Sequence, residues 1–552
     1  MKIKPFLLLT LTIVHAVSIL AQTGDIVKTE GITSTLHRDN IGKIYFTASS
    51  ITLNKLKSTD FLQSYTLTNK SNLLFIAFMG NSITNYLHQL EPALSSDSLN
   101  KIGNYQFTIL IDGKTIYQSN LFPGAPYPRI QDSATVINKA LINNDNSNGI
   151  WSESFWNRFM RFGGDSALTD GKHLLRMEIR PYLNGKNTIV GNIIAAGNLN
   201  LMVARKPVID TKSIHLNQIQ PYNGFEPSKE TFDTLKIKEL KGSIEEGLFK
   251  KINSIVVIKK GKLLLEEYFN GETRYTLHDP RSVGKSFVST ISGIALHEKH
   301  LRSENQLLKD FYTLHSYKNY TAEKEQVTLK DLLTMSSAFD GNDEEENSPG
   351  NEENMYPTND WVKFTLDLPT RKDAAKKNWR YFTAGVILLG DILNKTVPGR
   401  LEKYADEKLF KPLGITQYKW QYTPQQVPNT AGSIQMSALD FAKYGQLYKN
   451  EGHWNGKQIL PKAWVLKTFT KQKKIEGRDD EYYGYLFWNK VFRTKQKNYE
   501  AFYCAGNGGN YIIVLKDQPV VIVITASAYG QSYAHAQVNK MLTDFILPSI
   551  LE

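Results

Sequence analysis

The sequence predicts a mixed fold in two parts. A β-sandwich-like N-terminal domain precedes an α/β (α+β) domain in which an antiparallel sheet is flanked by helices. Three observations carry the prediction. Residues 26–205 hold short alternating apolar runs separated by Asn, Asp, Gly and Ser, the pattern of an all-β domain. From about residue 236 the texture changes to a hairpin pattern and then to helical periodicity as far as about residue 450. Strand patterns return toward the C-terminus, and strands at both ends of a helical stretch imply one sheet assembled from distant segments. The 552 residues accommodate both parts, since one domain takes about 100–200 residues.

Taken in order, residues 1–21 read MKIKPFLLLTLTIVHAVSILA. Lys2 and Lys4 form a basic start, an apolar run extends from Phe6 to Leu20, and Ala21 supplies a small residue for cleavage. This is the layout of a secretory signal peptide. Thr10, Thr12, His15 and Ser18 interrupt the run, so it is a poor membrane-spanning helix. The expectation is an exported protein with no stable membrane span after leader removal. Residues 22–205 are assigned to the β-rich accessory domain, with strands at 44–48, 73–78, 105–111, 173–179 and 199–203 and a helix near 81–90. Trp151 and Trp156 are read as core aromatics before a sugar-binding platform, and the sequence assigns this domain no ligand. Residues 206–235 read as a connector, carrying Pro207, Pro221 and Pro227. The second domain, 236–552, opens with strands at 254–259 and 262–269 that turn at Lys260-Gly261. It closes with strands at 485–489, 502–504, 511–515 and 520–525 and a final helix at 534–547.

Composition excludes several function classes. Hydrophobic residues make up 41% and charged residues 22%, which is globular and not disordered composition. The single cysteine, Cys504, rules out an intrachain disulfide, a cysteine zinc site and a CxxC redox pair. It is read as a buried strand residue. The net charge of +12, from 66 basic and 54 acidic residues, falls to +10 without Lys2 and Lys4. No nucleic-acid motif accompanies that charge, so it is read as a surface property. His297 and His300 lack further ligands for zinc, and the acidic loop 340–346 lacks EF-hand spacing. That loop is read as solvated at a cleft mouth, and Arg371, Lys372, Lys376 and Lys377 as surface charge. A P-loop is excluded because Asp279 stands where its first glycine belongs, and there is no G-x-S-x-G elbow. No metal or organic cofactor is implied.

The informative segment is 279–296, DPRSVGKSFVSTISGIAL. Phe287, Val288, Ile291, Ile294 and Ala295 keep helical spacing after Pro280. Ser282 and Lys285, three apart, share one helix face near its positive end. A desolvated, neutral lysine there accepts the serine proton, the S-x-x-K arrangement of a Ser–Lys acyl-transfer enzyme. Spacing alone is weak, because Ser98 and Lys101 satisfy it in a region without that helix context.

Three later segments add to it in order. Thr328, followed by Asp331, caps a helix. Tyr381-Phe-Thr383 precedes the apolar helix 386–393, and a glycine-rich turn, Ala505-Gly-Asn-Gly-Gly-Asn510, lies between two strand patterns. With the connecting text at 360–369, 409–415 and 441–448, the chain from about 240 to 550 resembles the serine hydrolases related to penicillin-binding proteins and class C β-lactamases. The resemblance implies a β-lactamase/transpeptidase-like domain with Ser282 as nucleophile and Lys285 as its activating partner. It gives Tyr381 a phenolate, favoured by Lys285, that serves as general base and then acid. The backbone N–H groups of Ser282 and Asn510 form the oxyanion hole, and Thr383, Asn507, Gly508 and Gly509 contact substrate. The family's Y-x-N asparagine is Thr383 here, and its lysine-threonine-glycine motif reads Asn507-Gly508-Gly509 without the lysine. The expectation is therefore an exported, periplasmic or extracellular serine hydrolase of the esterase and amidase side, acting on a small ester, amide or peptide and on no nucleic acid. A D-alanyl-D-alanine carboxypeptidase or β-lactamase is the alternative, and a non-catalytic binding protein with a relic hydrolase domain is the rival of another class.

Overall fold

The computed structural model describes residue 32 and residues 34–121, 134–144 and 150–552, with the backbone alone at 150–154. The leader expected at 1–21 and the side chain of Trp151 lie outside the described residues. The chain divides into two compact units, Met1–Val208 with Glu246–Leu248, and Ile209–Glu245 with Phe249–Glu552.

The first unit is built on strands β1 (Lys43–Thr47), β2 (Ser64–Leu67), β3 (Leu73–Phe78), β4 (Gly103–Ile111), β5 (Lys114–Asn120), β6 (Val136–Ile142), β7 (Gly171–Asn184), β8 (Thr188–Val190) and β9 (Ala195–Val203). They form one hydrogen-bonded sheet in the order β5-β4-β7-β9-β1-β3-β6, with β2 also on β9 and β8 on β7. The expected sandwich thus differs in connectivity: there is a single sheet and not two separate ones. Strands β4 and β3 stand four places apart, which in a flat sheet is about 19 Å. Yet Phe75 on β3 and Phe107 on β4 meet edge to face with ring centroids 6.0 Å apart. The sheet therefore curls until both ends share one core. Trp156, on helix α3 (Ile150–Phe159), is buried against Phe159 in that core. The earlier helices are α1 (Ile83–Leu90), capped by Ser82, and α2 (Ser96–Ile102), capped by Ser95. Helix α2 corrects one expectation: Ser98 and Lys101 do lie on a helix, so helical context does not separate them from Ser282 and Lys285. Burial does, because Lys101 is exposed and Lys285 is buried.

In the second unit, residues 209–233 carry no helix or extended strand. They contribute Phe225, 2% exposed, to the core and bridge from Pro227 to Leu263. Helix α4 (Thr234–Glu245) follows, then β10 (Ile252–Lys259) and β11 (Lys262–Tyr268). Lys260 and Gly261 have φ of 53° and 73°, the two positive values that a two-residue hairpin turn matched to strand twist requires. The sheet is completed by β12 (Lys473–Lys474), β13 (Tyr482–Gly484), β14 (Phe487–Arg493), β15 (Asn498–Gly506), β16 (Asn510–Leu515) and β17 (Val520–Ala526). All eight strands pair antiparallel, in the order β11-β10-β17-β16-β15-β14-β13-β12. The strand expected at 485–489 is broken, since Tyr485 and Leu486 take positive φ between β13 and β14.

Alternation along these strands serves two cores. Ile255, Val257, Ile513 and Ile522 face the C-terminal helix through Val538, Leu542 and Ile546. Val256, Val514, Val521 and Cys504 face a layer of helices containing Phe287, Val288 and Tyr444. That layer includes α5 (Gly284–His297), α6 (Leu329–Leu333), α7 (Thr383–Thr396) and α8 (Ala438–Lys449). Residues 284–295 of α5 are buried on every side, which fixes the helix that carries the Ser–Lys pair. Thr328 caps α6 in the expected reciprocal box with Asp331. Arg371 departs from its reading as surface charge. It is 3% exposed and donates to the carbonyl of Asn378.

Candidate active site

Ser282 sits in a single 3₁₀ turn, Arg281–Val283, that runs straight into α5. Arg281, just before it, takes φ of 52°, a left-handed conformation that is strained for a side chain of this size. Its guanidinium lies 4.5 Å from the Tyr529 ring centroid, and its N–H donates to Asp279 at 3.0 Å. Three glycines let backbone crowd this turn. A Cβ on Gly432 would lie 2.7 Å from the Arg281 carbonyl oxygen, and one on Gly284 would lie 2.9 Å from Gly432 backbone. On Gly506 it would lie 2.0 Å from the Pro280 carbonyl oxygen and 3.1 Å from the Ser282 nitrogen. The end of β15 is thereby pressed against the serine turn.

One helical turn on, Lys285 is 1% exposed. Its Nζ donates to Ser282 Oγ at 2.7 Å and to the Ala431 carbonyl at 2.6 Å, and lies 5.3 Å from the Tyr381 ring centroid. The Tyr381 phenol lies beside the Ser282 hydroxyl and interacts with it. Burial pushes its phenol above the usual tyrosine range, while Lys285 and Ser282 pull it back only in part. At neutral pH the resting group is a phenol, in contrast to the phenolate expected from sequence. Ser282, Lys285 and Tyr381 are therefore brought together, by α5 and by the segment leading into α7.

The remaining sequence candidates divide. Asn507 lines the same cleft as Ser282, and its Oδ1 accepts from the Gly530 N–H. Gly508 and Gly509, with φ of 90° and 91°, form the turn behind it. Asn510 does not line the cleft: it is 1% exposed, pairs with Gly506 across the hairpin, and spends its amide on Asn507 and Ala526 carbonyls. The Gly506 carbonyl accepts from Gly509 N–H at 3.3 Å and so points toward the turn. In a trans peptide the next N–H points the opposite way, so it is the Asn507 N–H that leaves the free edge of β15 beside Ser282. Asn510 is thus corrected to Asn507 as the donor nearest the serine. Thr383 is also corrected: it is fully buried at the start of α7 and does not reach the cleft.

Sequence reasoning missed Asp343, which was read as part of a solvated loop. Its carboxylate accepts the Thr383 N–H at 2.7 Å and the Glu352 N–H at 2.9 Å, and its own N–H donates to the Tyr381 carbonyl. Burial raises its carboxyl to about 6. Asp343 therefore clamps the segment that presents Tyr381. The signal was there only as one acid among several in DGNDEEE. The cleft itself encloses about 400 Å³. Trp488, Tyr503 and Tyr511 give it an aromatic wall, and Lys490, His535 and Asn539 lie along its far side. Among the described residues no cluster of three or more His, Cys, Asp or Glu is arranged to hold a metal ion, and no helix is long and apolar enough to cross a membrane.

A buried lysine bonded to a helix-borne serine, a tyrosine on the same hydroxyl and a β-strand edge beside them define a class of nucleophile-bearing cleft. Residues 251–542 match the Beta-lactamase family, and the chain belongs to it. Similar solved structures include an octameric penicillin-binding protein homologue from Pyrococcus abyssi (20% identity over 53% of this chain and 73% of that one, TM-score 0.41). A penicillin-binding protein from Bacillus halodurans is 17% identical over 53% of this chain and 97% of that one, with TM-score 0.43. A D-stereospecific amidohydrolase from Streptomyces sp. is 13% identical over 53% of this chain and 93% of that one, with TM-score 0.40. No curated protein matches the chain.

Proposed function

We propose that this protein is an exported serine hydrolase that cleaves a small ester or amide through an acyl-enzyme on Ser282. The observation that carries the reading is the 2.7 Å bond from Lys285 Nζ to Ser282 Oγ, with Tyr381 on the same hydroxyl. Ser282 Oγ attacks the carbonyl carbon, and its proton passes to the Lys285–Tyr381 pair. The backbone N–H groups of Ser282 and Asn507 hold the oxyanion. Collapse expels the alcohol or amine, which takes a proton from Tyr381. Water then attacks the acyl carbonyl and gives its proton to the same pair, releasing the acid and restoring Ser282. Export rests on the leader-like residues 1–21, and cell fractionation tests it.

The absence of a lysine in the glycine-rich motif favours simple esters and amides over β-lactams and D-alanyl peptides, because the motif then offers no cation to a substrate carboxylate. The decisive experiment is covalent labelling by a fluorophosphonate probe, together with ester turnover by wild type and Ser282→Ala. Labelling and turnover that vanish in the variant support the reading. A folded wild type that is neither labelled nor active makes the chain a binding protein with a relic site, and stoichiometric labelling by a fluorescent penicillin moves it to the β-lactam-recognising side.

A further inference from the structure

Lys490 on β14 lines the same cleft as Ser282. Its Nζ donates to Asn539 Oδ1 at 2.7 Å and lies 5.2 Å from the Tyr503 ring centroid and 4.7 Å from that of Phe492. Among the described residues no carboxylate comes within 4.0 Å of it. The neighbouring acids are otherwise engaged: Arg478, stacked 5.4 Å from Trp488, takes both Glu344 and Glu481. His535, also on this side, is held neutral by burial and by the nearby charges of Lys490 and Arg478, with Nδ1 on the Tyr511 hydroxyl. Burial lowers Lys490 to about 8, so the ammonium persists at neutral pH. Glu481 attracts this ammonium through space but is itself bound to Arg478, so a partly desolvated ammonium with no carboxylate in contact favours a further anion.

An aromatic path leads from the serine to this charge. Tyr381 stacks on Trp488 at 5.6 Å, Trp488 on Tyr503 at 6.4 Å, and Lys490 lies over Tyr503. Tyr503 is on β15, which ends at Gly506 just before Asn507, the oxyanion side of the cleft. The leaving group departs toward Tyr381, so the Tyr503 side receives the acyl chain.

We infer that Lys490 binds a carboxylate at the far end of the substrate's acyl part, which makes the preferred substrates half-esters or half-amides of short dicarboxylic acids. This deepens the hydrolase reading and rests on it. It also places the anion-binding cation on β14, a strand removed from the glycine-rich motif that lacks one.

The test compares mono-p-nitrophenyl esters of dicarboxylic acids, from succinate to suberate, each against its neutral methyl-ester counterpart. Wild type should favour at least one acid over its neutral counterpart by 10-fold or more in kcat/KM. That ratio should collapse at least 10-fold in Lys490→Met and persist in Lys490→Arg, whatever happens to the absolute rates. A wild-type ratio of one or less, or an unchanged ratio in Lys490→Met, overturns the inference. Titration of Trp488 fluorescence with free glutarate and with glutaramide reads the site without turnover and without a variant. Saturable quenching by glutarate alone supports the carboxylate site, and equal or absent quenching by the two overturns it. Fluorophosphonate labelling separates the two readings: labelling without glutarate preference sinks this inference alone, while glutarate binding without labelling sinks the hydrolase assignment alone.

Discussion

Replacing Gly506 by alanine tests the geometry on which the oxyanion argument depends. The residue has no positive φ among the glycines that do, so alanine is conformationally allowed and only crowding is introduced. The new Cβ would stand 2.0 Å from the Pro280 carbonyl oxygen. Real Cβ contacts do not fall below 3.0 Å, so strand and serine turn must part by about 1 Å. Both contacting groups are backbone, held by the β15–β16 pairing on one side and by the entry into α5 on the other. A misplacement of about 1 Å costs on the order of 100-fold in rate, and loss of one oxyanion donor costs about 10²–10³. The expected result is a fall of about 100-fold in kcat/KM for an activated ester and slower fluorophosphonate labelling. Overpacking should cost about 1–3 kcal/mol of stability, read by denaturant unfolding. Gly185→Ala, whose nearest neighbour is 3.8 Å away, is the control and should change neither quantity. Turnover by Gly506→Ala within threefold of wild type, with the fold intact, would refute the claim that β15 and the serine turn form one catalytic surface.

Further outcomes follow from the same site. Lys285→Met removes the amine on Ser282 and leaves the Ala431 carbonyl without its 2.6 Å donor; kcat/KM should fall about 10²–10⁴-fold, and retained turnover would assign proton transfer elsewhere. Asp343 titrates near 6 in the folded protein and lower when unfolded. Its contribution to stability is therefore full below about pH 4 and is lost as pH rises through 6, by about 3 kcal/mol. In denaturant unfolding from pH 4 to pH 7, wild type should lose that amount relative to Asp343→Asn, and parallel curves would refute the buried carboxyl. Cys504 is 1% exposed and burial pushes its thiol up to about 12. A disulfide exchange reagent should leave it untouched in the native protein and react with one thiol after denaturation, and rapid native reaction would contradict its place in the core.

Legibility in the sequence tracked locality. The Ser282–Lys285 pair is visible as helical spacing within a few residues, although only the later motifs set it apart from Ser98 and Lys101, and the Lys260-Gly261 turn needed only two residues with positive φ. The Thr328–Asp331 cap is equally local. The errors lie where identity depends on a distant partner. Thr383 sits in a recognisable motif, yet Asp343, forty positions earlier, draws its N–H inward and buries it. Asn510 was placed at the serine because the glycine-rich turn does not reveal which peptide faces which edge. Pairing of Gly506 with Asn510 settles that, and gives the edge to Asn507. Arg371 looks like surface charge in a basic stretch, although packing encloses it.

By itself the sequence determined what chemistry is excluded and which nucleophile and amine are available. One cysteine forbids an intrachain disulfide and paired-thiol sites, and the periodicities mark a β-rich part before a helix-flanked sheet. Tertiary structure alone decided how the first sheet curls, which N–H stands beside Ser282, and that Lys490 keeps a charge with no carboxylate in contact. The physical reason is the range of the forces involved. Propensity, capping and turn strain act over a few residues and leave their mark in order along the chain. Burial, desolvation and the direction of a strand edge arise only when segments hundreds of residues apart are packed together.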